Sequence, residues 1–288
     1  MEIAQLAVNG LVLGCIIALM AIGLTMTYKI LNFANFAHGD LVALGAYLAF
    51  LFNVTVGANL ILAILLSVII SACLGICLDK AIWKPLRDKR AGKITLIIAS
   101  VGLAMFLRNL IVLIWGGGTR NYDQPVREGF EFLGAVITMN QIMVIVVAIV
   151  LMFLVYFILQ RTKMGKAMRA LSDNTDLARV SGINVDRVIL WTWVIGMSLA
   201  AVGGVMYAMV TTIRPEMGWF LLLPMFAAVI LGGIGNPYGA MLGGIIIGLA
   251  QELSTAVIPT EYKLLVSFVV LIVLLLIKPQ GILTRTNE

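Results

Sequence analysis

Long apolar stretches alternate with short polar ones along the whole chain, at the spacing of membrane helices. A spanning helix needs about 20 mainly apolar residues. Stretches 6–28, 58–78, 94–115, 139–160, 188–210 and 263–277 meet that need, and 41–56 is a shorter candidate. The stretch 220–250 is apolar but interrupted at Gly232-Gly233-Ile234-Gly235-Asn236-Pro237. It reads either as two short helices, 220–234 and 238–250, or as one broken element. Backbone groups freed by such a break must find partners inside the protein, because lipid supplies none. The pattern predicts an all-α, polytopic transmembrane helical bundle of eight to ten spans, about nine, in a single domain over residues 1–288. The run 6–28 is too long for a signal-peptide core and has no basic stretch before it, so it is expected to be the first span.

Composition sharpens this picture. Hydrophobic residues make up 61% of the chain and charged ones 12%, and mean hydropathy is +1.07. A soluble domain carries roughly 25% charged residues, so lipid must be the solvent for much of this surface. The net charge of +6 is then a statement about topology and not a signal for nucleic acid. Basic residues gather in 79–93 (Lys80, Lys84, Arg87, Lys89, Arg90, Lys93), in 161–187 (Arg161, Lys163, Lys166, Arg169, Arg179, Arg187) and in the tail (Lys278, Arg285). By the positive-inside rule these segments are expected to be cytoplasmic. The loop 116–138, with Asp123, Glu128 and Glu131 against Arg120 and Arg127, then lies outside, as do 211–219 and the region from Glu252 to about Tyr262. The N-terminus is expected outside and the C-terminus in the cytoplasm. Cys15, Cys73 and Cys77 sit in apolar runs without metal-ligand or redox spacing, and they read as buried small residues.

Four features could carry chemistry. The segment Asn32, Phe33, Ala34, Asn35, Phe36, Ala37, His38, Gly39, Asp40 places two amides, the chain's single histidine and an acid between apolar runs. It reads as part of a translocation path, with Asn32, Phe33, Asn35, His38 and Asp40 as lining residues. It reads equally as a short cytoplasmic turn with Asp40 favoured by the helix dipole. Arg108 lies inside the run 94–115, where a charge costs roughly 2.5–3.5 kcal/mol on insertion scales. It must face protein or water, or else snorkel to the outer interface. Glycines at Gly235, Gly239 and Gly243, with Gly244 and Gly248 offset and Gly10 and Gly14 upstream, read as helix-packing faces. The loop 161–187 holds Met164 to Leu171 at helical spacing, a helix start at Asp173–Asp176, an apolar face of Leu177, Ala178, Val180 and Ile183, and a stop at Gly182. Such a segment suits docking into a groove on a soluble partner, or a solvated loop on the membrane surface.

Some chemistry is missing. Gly165-Lys166 lacks the upstream glycine and following Ser/Thr of a phosphate loop. Acids are absent from the clear spans and Glu252 sits at an end, which argues against a carboxylate proton relay. No catalytic group and no metal site is expected.

Three runs resemble the branched-chain amino acid ABC transporter permeases of the LivH type. They are Leu31-Asn32-Phe33-Ala34 with His38-Gly39, then Gly165-Lys166-Ala167-Met168-Arg169-Ala170 with Ala178 and Gly182-Ile183, then Leu231-Gly232-Gly233-Ile234-Gly235-Asn236 with Gly239-Ala240 and Gly243. Together, in that order, they cover most of the chain. Asn236-Pro237 departs from the family, in which a small hydroxyl residue often follows the late glycines. The resemblance implies a fold similar to the vitamin-B12-type importer permeases, in the bacterial cytoplasmic membrane. It also implies a LivM-type permease as heterodimer partner, two ATPases carrying ATP and Mg, and an extracytoplasmic binding protein, with no cofactor on this chain. The coupling residues it implies are Gly165, Arg169, Asp176, Leu177, Ala178, Val180, Gly182 and Ile183. Related systems carry urea or short amides. A stand-alone channel for a small neutral solute and a secondary transporter with broken helices are the rivals from other classes.

Overall fold

The computed structural model of the chain describes residues 2–124, 129–132, 134–278 and 280–283. Of the charges weighed above, Arg127, Glu128 and Arg285 lie outside the described residues. The helices are α1 (Glu2–Leu31), α2 (Ala37–Phe50), α3 (Leu60–Leu78), α4 (Lys84–Asp88), α5 (Lys93–Trp115), α6 (Met139–Arg161), α7 (Lys163–Asp173), α8 (Thr175–Val180), α9 (Val185–Val210), α10 (Met217–Gly232), α11 (Pro237–Ser254) and α12 (Lys263–Ile277). A small hairpin, β1 (Phe130–Phe132) with β2 (Ala135–Ile137), precedes α6.

Among the described residues seven helices are long and apolar enough to cross a membrane, and α10 is a shorter apolar one. The interrupted stretch resolves into two helices, α10 and α11, joined by a turn at Gly233 and Gly235, both at positive φ. α2 begins at Ala37, ahead of the expected 41–56, and runs through a π-helical turn to Thr55. The segment 79–93 is not a loop. α3 passes through a π-helical turn, Asp79–Trp83, straight into α4, so only a few residues connect it to α5. The extra residue of a π-turn re-aims the side chains that follow it, and here both Asp79 and Trp83 are buried. Asp79 accepts from Arg87 Nη1 at 2.7 Å and from Trp193 Nε1 at 2.9 Å, while Trp83 stacks near Trp193 and Phe33. An acid does therefore sit within a spanning helix, contrary to the sequence expectation. It is tolerated because a cation and an indole N–H satisfy it.

α1, α2 and α9 form the centre, with α10 and α11 packed against them. Their neighbours α3, α5, α6 and α12 present mostly exposed Leu, Ile, Val and Phe. Cys15 is buried in α1, but Cys73 and Cys77 lie on the exposed face of α3, so only one of the three cysteines is a core residue. Lipid is as apolar as a protein core, and composition does not separate these two environments. The α1–α11 seam is the most extensive contact in the bundle. There Gly10 and Gly14 meet the Cα atoms of Leu249 and Ile245, and Gly244 and Gly248 meet Ala18 and Gly14 backbone. Gly239 and Gly243 face the other way, onto Gly232 and the Ala228 carbonyl of α10. Gly235 belongs to neither row. It sits in the turn at φ +83° against the Lys29 side chain, and its N–H donates to Thr25 Oγ1.

Candidate translocation seam and coupling corner

The chain leaves α1 through Asn32, whose φ of +56° turns it back into the bundle. Asn32 is exposed, whereas Phe33 is buried 4.8 Å from the Trp83 ring. The Phe36 N–H donates to Ser100 Oγ at 3.1 Å, and Asn35 Oδ1 accepts from the Ala37 N–H. Asn35, His38 and Asp40 are each buried to 1% exposure. His38 Nε2 lies 3.1 Å from the Met20 carbonyl in the middle of α1. A carbonyl only accepts, so Nε2 carries the proton and Nδ1 is left as a bare acceptor. His38 Nδ1 and Asn35 Nδ2 are buried without a hydrogen-bond partner among the described residues.

Asp40 stands in the first turn of α2, as the sequence expects, but inside the bundle and not at a surface turn. Its two oxygens take Nε and Nη2 of Arg108, each at 3.0 Å. The Arg108 guanidinium also lies 5.1 Å from the centroid of the Trp219 ring. Arg108 therefore does not snorkel outward. At 1.5 Å rise per residue it is about 10 Å short of Trp115 and about 22 Å from Lys93, well within a hydrocarbon layer of about 30 Å. The starts of α2 and α10 cross at Gly39 and Gly218, where a Cβ on either would strike the other's carbonyl oxygen. Backbone contact, the two-point ion pair and the ring face thus converge on one locus. Sequence reading singled out Asp40 and Arg108 separately but did not pair them. The usable signal was the cost of a lone arginine in an apolar run, which demands an acid nearby.

At the end of the bundle bearing the basic residues, α6 turns into α7 and α8. Thr162 caps α7 by accepting the Gly165 N–H at 3.0 Å. Gly165 is buried against the carbonyls of Ile158 and Leu159, and Arg169 donates from Nη1 to the Leu159 carbonyl. These two residues hold the corner and do not present a docking surface. Asn174 Oδ1 caps α8 by accepting the Leu177 N–H at 2.9 Å, with Asp176 exposed in its first turn. Gly182, at φ +84°, closes α8: its N–H reaches the Arg179 carbonyl and the Ile183 N–H reaches the Ala178 carbonyl. That is the paired-bond helix stop in which a left-handed glycine satisfies the last carbonyls. The expected apolar face divides. Ala178 is 3% exposed and packs into the core, whereas Leu177 and Val180 are 62% and 82% exposed. Ile183 is half-buried. At about 100° per residue Leu177, Ala178 and Val180 spread over about 160° of α8, and Ile183 lies beyond its end. The Lys84–Asp186 ion pair, 2.8 Å, ties the start of α9 to α4 beside this corner. A cavity of about 970 Å³ opens next to it, lined by Lys29, Arg169, Ser172, Asn236 and Tyr238 among others.

The opposite end is pinned by polar side chains. Tyr122 donates to the Ala46 carbonyl at 3.0 Å, and its burial pushes the phenol well above its ordinary range, keeping it a donor. Gln5, Asn9 and Gln141 form a chain of amides between α1 and α6, and Lys263 meets Glu252 at 2.6 Å.

Comparison with known proteins follows the whole length of this architecture. A family model described as branched-chain amino acid transport system / permease component matches residues 6–275. The chain is 36% identical to the high-affinity branched-chain amino acid transport system permease protein LivH of Escherichia coli K12, over 96% of this chain and 94% of that protein. It is 34% identical to BraD, the permease protein of the corresponding system in Pseudomonas aeruginosa, over 98% and 95% respectively. Among solved structures, PsaBC from Streptococcus pneumoniae in complex with Fab matches with a TM-score of 0.52 at 15% identity, covering 94% of this chain and 91% of that one. At that identity the likeness is one of fold.

Proposed function

The chain belongs to the branched-chain amino acid transport system permease family, and on that footing we propose that it forms half of the pore of an ATP-driven importer for branched-chain amino acids. Support for the substrate comes from the relatives' names and from the length over which they match. The second half of the pore is a related permease of the LivM type, and two cytoplasmic ATPases supply ATP and Mg to the system. An extracytoplasmic binding protein delivers the amino acid to the end formed by 116–124, 211–216 and 255–262. The N-terminus lies outside and the basic end inside the bacterial cytoplasm, in keeping with the positive-inside rule.

The observation that carries the coupling role is α8. It is a six-residue helix capped at both ends, with Ala178 anchored in the core and Leu177 and Val180 turned out beside Arg179. An exposed apolar pair on a rigid, anchored turn is a docking element. Movement of the ATPases then reaches α9 and α6 through the corner at Gly165 and Arg169. ATP binding shifts the bundle only through contacts that differ between its states, and this corner is where such contacts reach the membrane helices. The test replaces both outward residues, Leu177→Asp with Val180→Asp. Assembly with the permease partner is expected at wild-type level, with leucine uptake and leucine-stimulated ATP hydrolysis at least tenfold lower. Wild-type uptake by that variant at equal membrane levels would overturn the coupling role. Uptake of urea but not leucine by the unmodified complex would overturn the substrate.

A further inference from the structure

The Asp40–Arg108 pair is enclosed on most sides and open on one. Asp40 is 1% exposed, yet the Arg108 side chain keeps 27% of its surface exposed while gripping both carboxylate oxygens. At its exposed side, the Trp219 ring of α10 lies 5.1 Å from the guanidinium and is itself about half exposed. A guanidinium at this depth faces water or protein and not lipid. The opening therefore borders a hydrated path or the second permease half across it. Behind the pair, the buried and unpartnered His38 Nδ1 and Asn35 Nδ2 make the start of α2 polar.

We propose that Asp40, Arg108 and Trp219 form a checkpoint in the translocation path that receives the zwitterionic head of an α-amino acid. The proposal rests on the importer reading above and names the group within this chain that would recognise that substrate class. The chemistry is complementary. A guanidinium takes a carboxylate through two parallel N–H donors, which suits the α-carboxylate, and Asp40 suits the α-ammonium. The Trp219 face lies 5.1 Å from the Arg108 guanidinium and favours that cation further. When the zwitterion enters, one internal ion pair is exchanged for two with the ligand, so neither buried charge is left bare. When it leaves, the internal pair closes again and the path is neutral inside. An uncharged solute such as urea offers no such exchange.

The experiment is leucine uptake by the reconstituted complex, with the binding protein present, for two variants. Arg108→Lys keeps the charge and the pairing with Asp40 but loses the two-point grip. Asp40→Leu with Arg108→Met replaces the pair by apolar side chains, a change that buried ion pairs often tolerate in folding. Both complexes are expected to assemble, with uptake at least threefold lower for Arg108→Lys and at least twentyfold lower for the double variant. Uptake within twofold of the unmodified complex, in either assembled variant, would overturn the checkpoint and leave the importer reading standing. If the double variant does not assemble, Arg108→Lys decides alone. An unmodified complex that carries urea and not leucine would overturn the importer reading and the checkpoint with it.

Discussion

Two seams hold the centre of this protein together, and they are built on opposite principles. Where α1 meets α11, Gly10, Gly14, Ala18, Gly244 and Gly248 bring two backbones into direct contact. Where α2 meets α5 and α10, two backbones meet at Gly39 and Gly218, and the Asp40–Arg108 ion pair adds a charged contact. In lipid, apolar faces gain little from meeting each other, so close packing of small residues must supply the attraction. That kind of seam has one good arrangement. A charge pair beside a polar, under-satisfied helix start can exchange partners, so it is the seam of the two suited to moving. The comparison teaches that glycine spacing marks what is fixed, whereas a buried charge marks what can be re-paired.

The comparison can be broken in several places. The largest effect is expected from Arg108→Met alone, which strands Asp40 as a buried unpaired acid. Breaking such a pair costs about 3–5 kcal/mol, and thermal unfolding in detergent should show a large drop or no folded chain. An unchanged transition would mean that Asp40 is not held as described. Next is Gly248→Leu, whose side chain would collide with the Gly14 backbone. Overpacking at a backbone contact costs about 3 kcal/mol, and the apolar pair Asp40→Leu with Arg108→Met should be milder than this single change. Smaller still is Gly182→Ala. A left-handed residue with a Cβ costs about 1 kcal/mol, so hydrogen exchange in α8 should rise while the bundle stays intact. The smallest effect belongs to Gly102→Leu on the exposed side of α5, where a Cβ meets nothing within 4 Å. Stability within about 0.5 kcal/mol of the original is expected there. A large loss would reveal that this face is already packed against something.

Much of the fold was legible in the residues themselves. Run length located most of the spans, and the break at Gly232 to Pro237 was read as a possible pair of helices because glycine and proline interrupt helical bonding. The signals at Asp173–Asp176 and Gly182 placed α8 correctly, since capping is a matter of neighbouring residues. The family motifs, too, are short local runs.

What escaped sequence reading is long-range. Asp40 and Arg108 are separated by 68 positions, and Trp193 and Asp79 by 114. Whether 79–88 ends a span or extends it depended on Asp79 finding Arg87 and Trp193 inside the bundle. Ala178 looked like a member of a docking face until the core claimed it, leaving Leu177 and Val180 outside. The glycines of α11 form two offset rows in sequence, but only packing assigns their partners, α10 through Gly239 and Gly243 and α1 through Gly244 and Gly248. Composition and periodicity report on a helix by itself: its length and its ends. Lipid and protein interior are equally apolar, so hydrophobicity says nothing about which face meets which. That choice is made by backbone approach and by charges finding each other, and both exist only once the helices are packed.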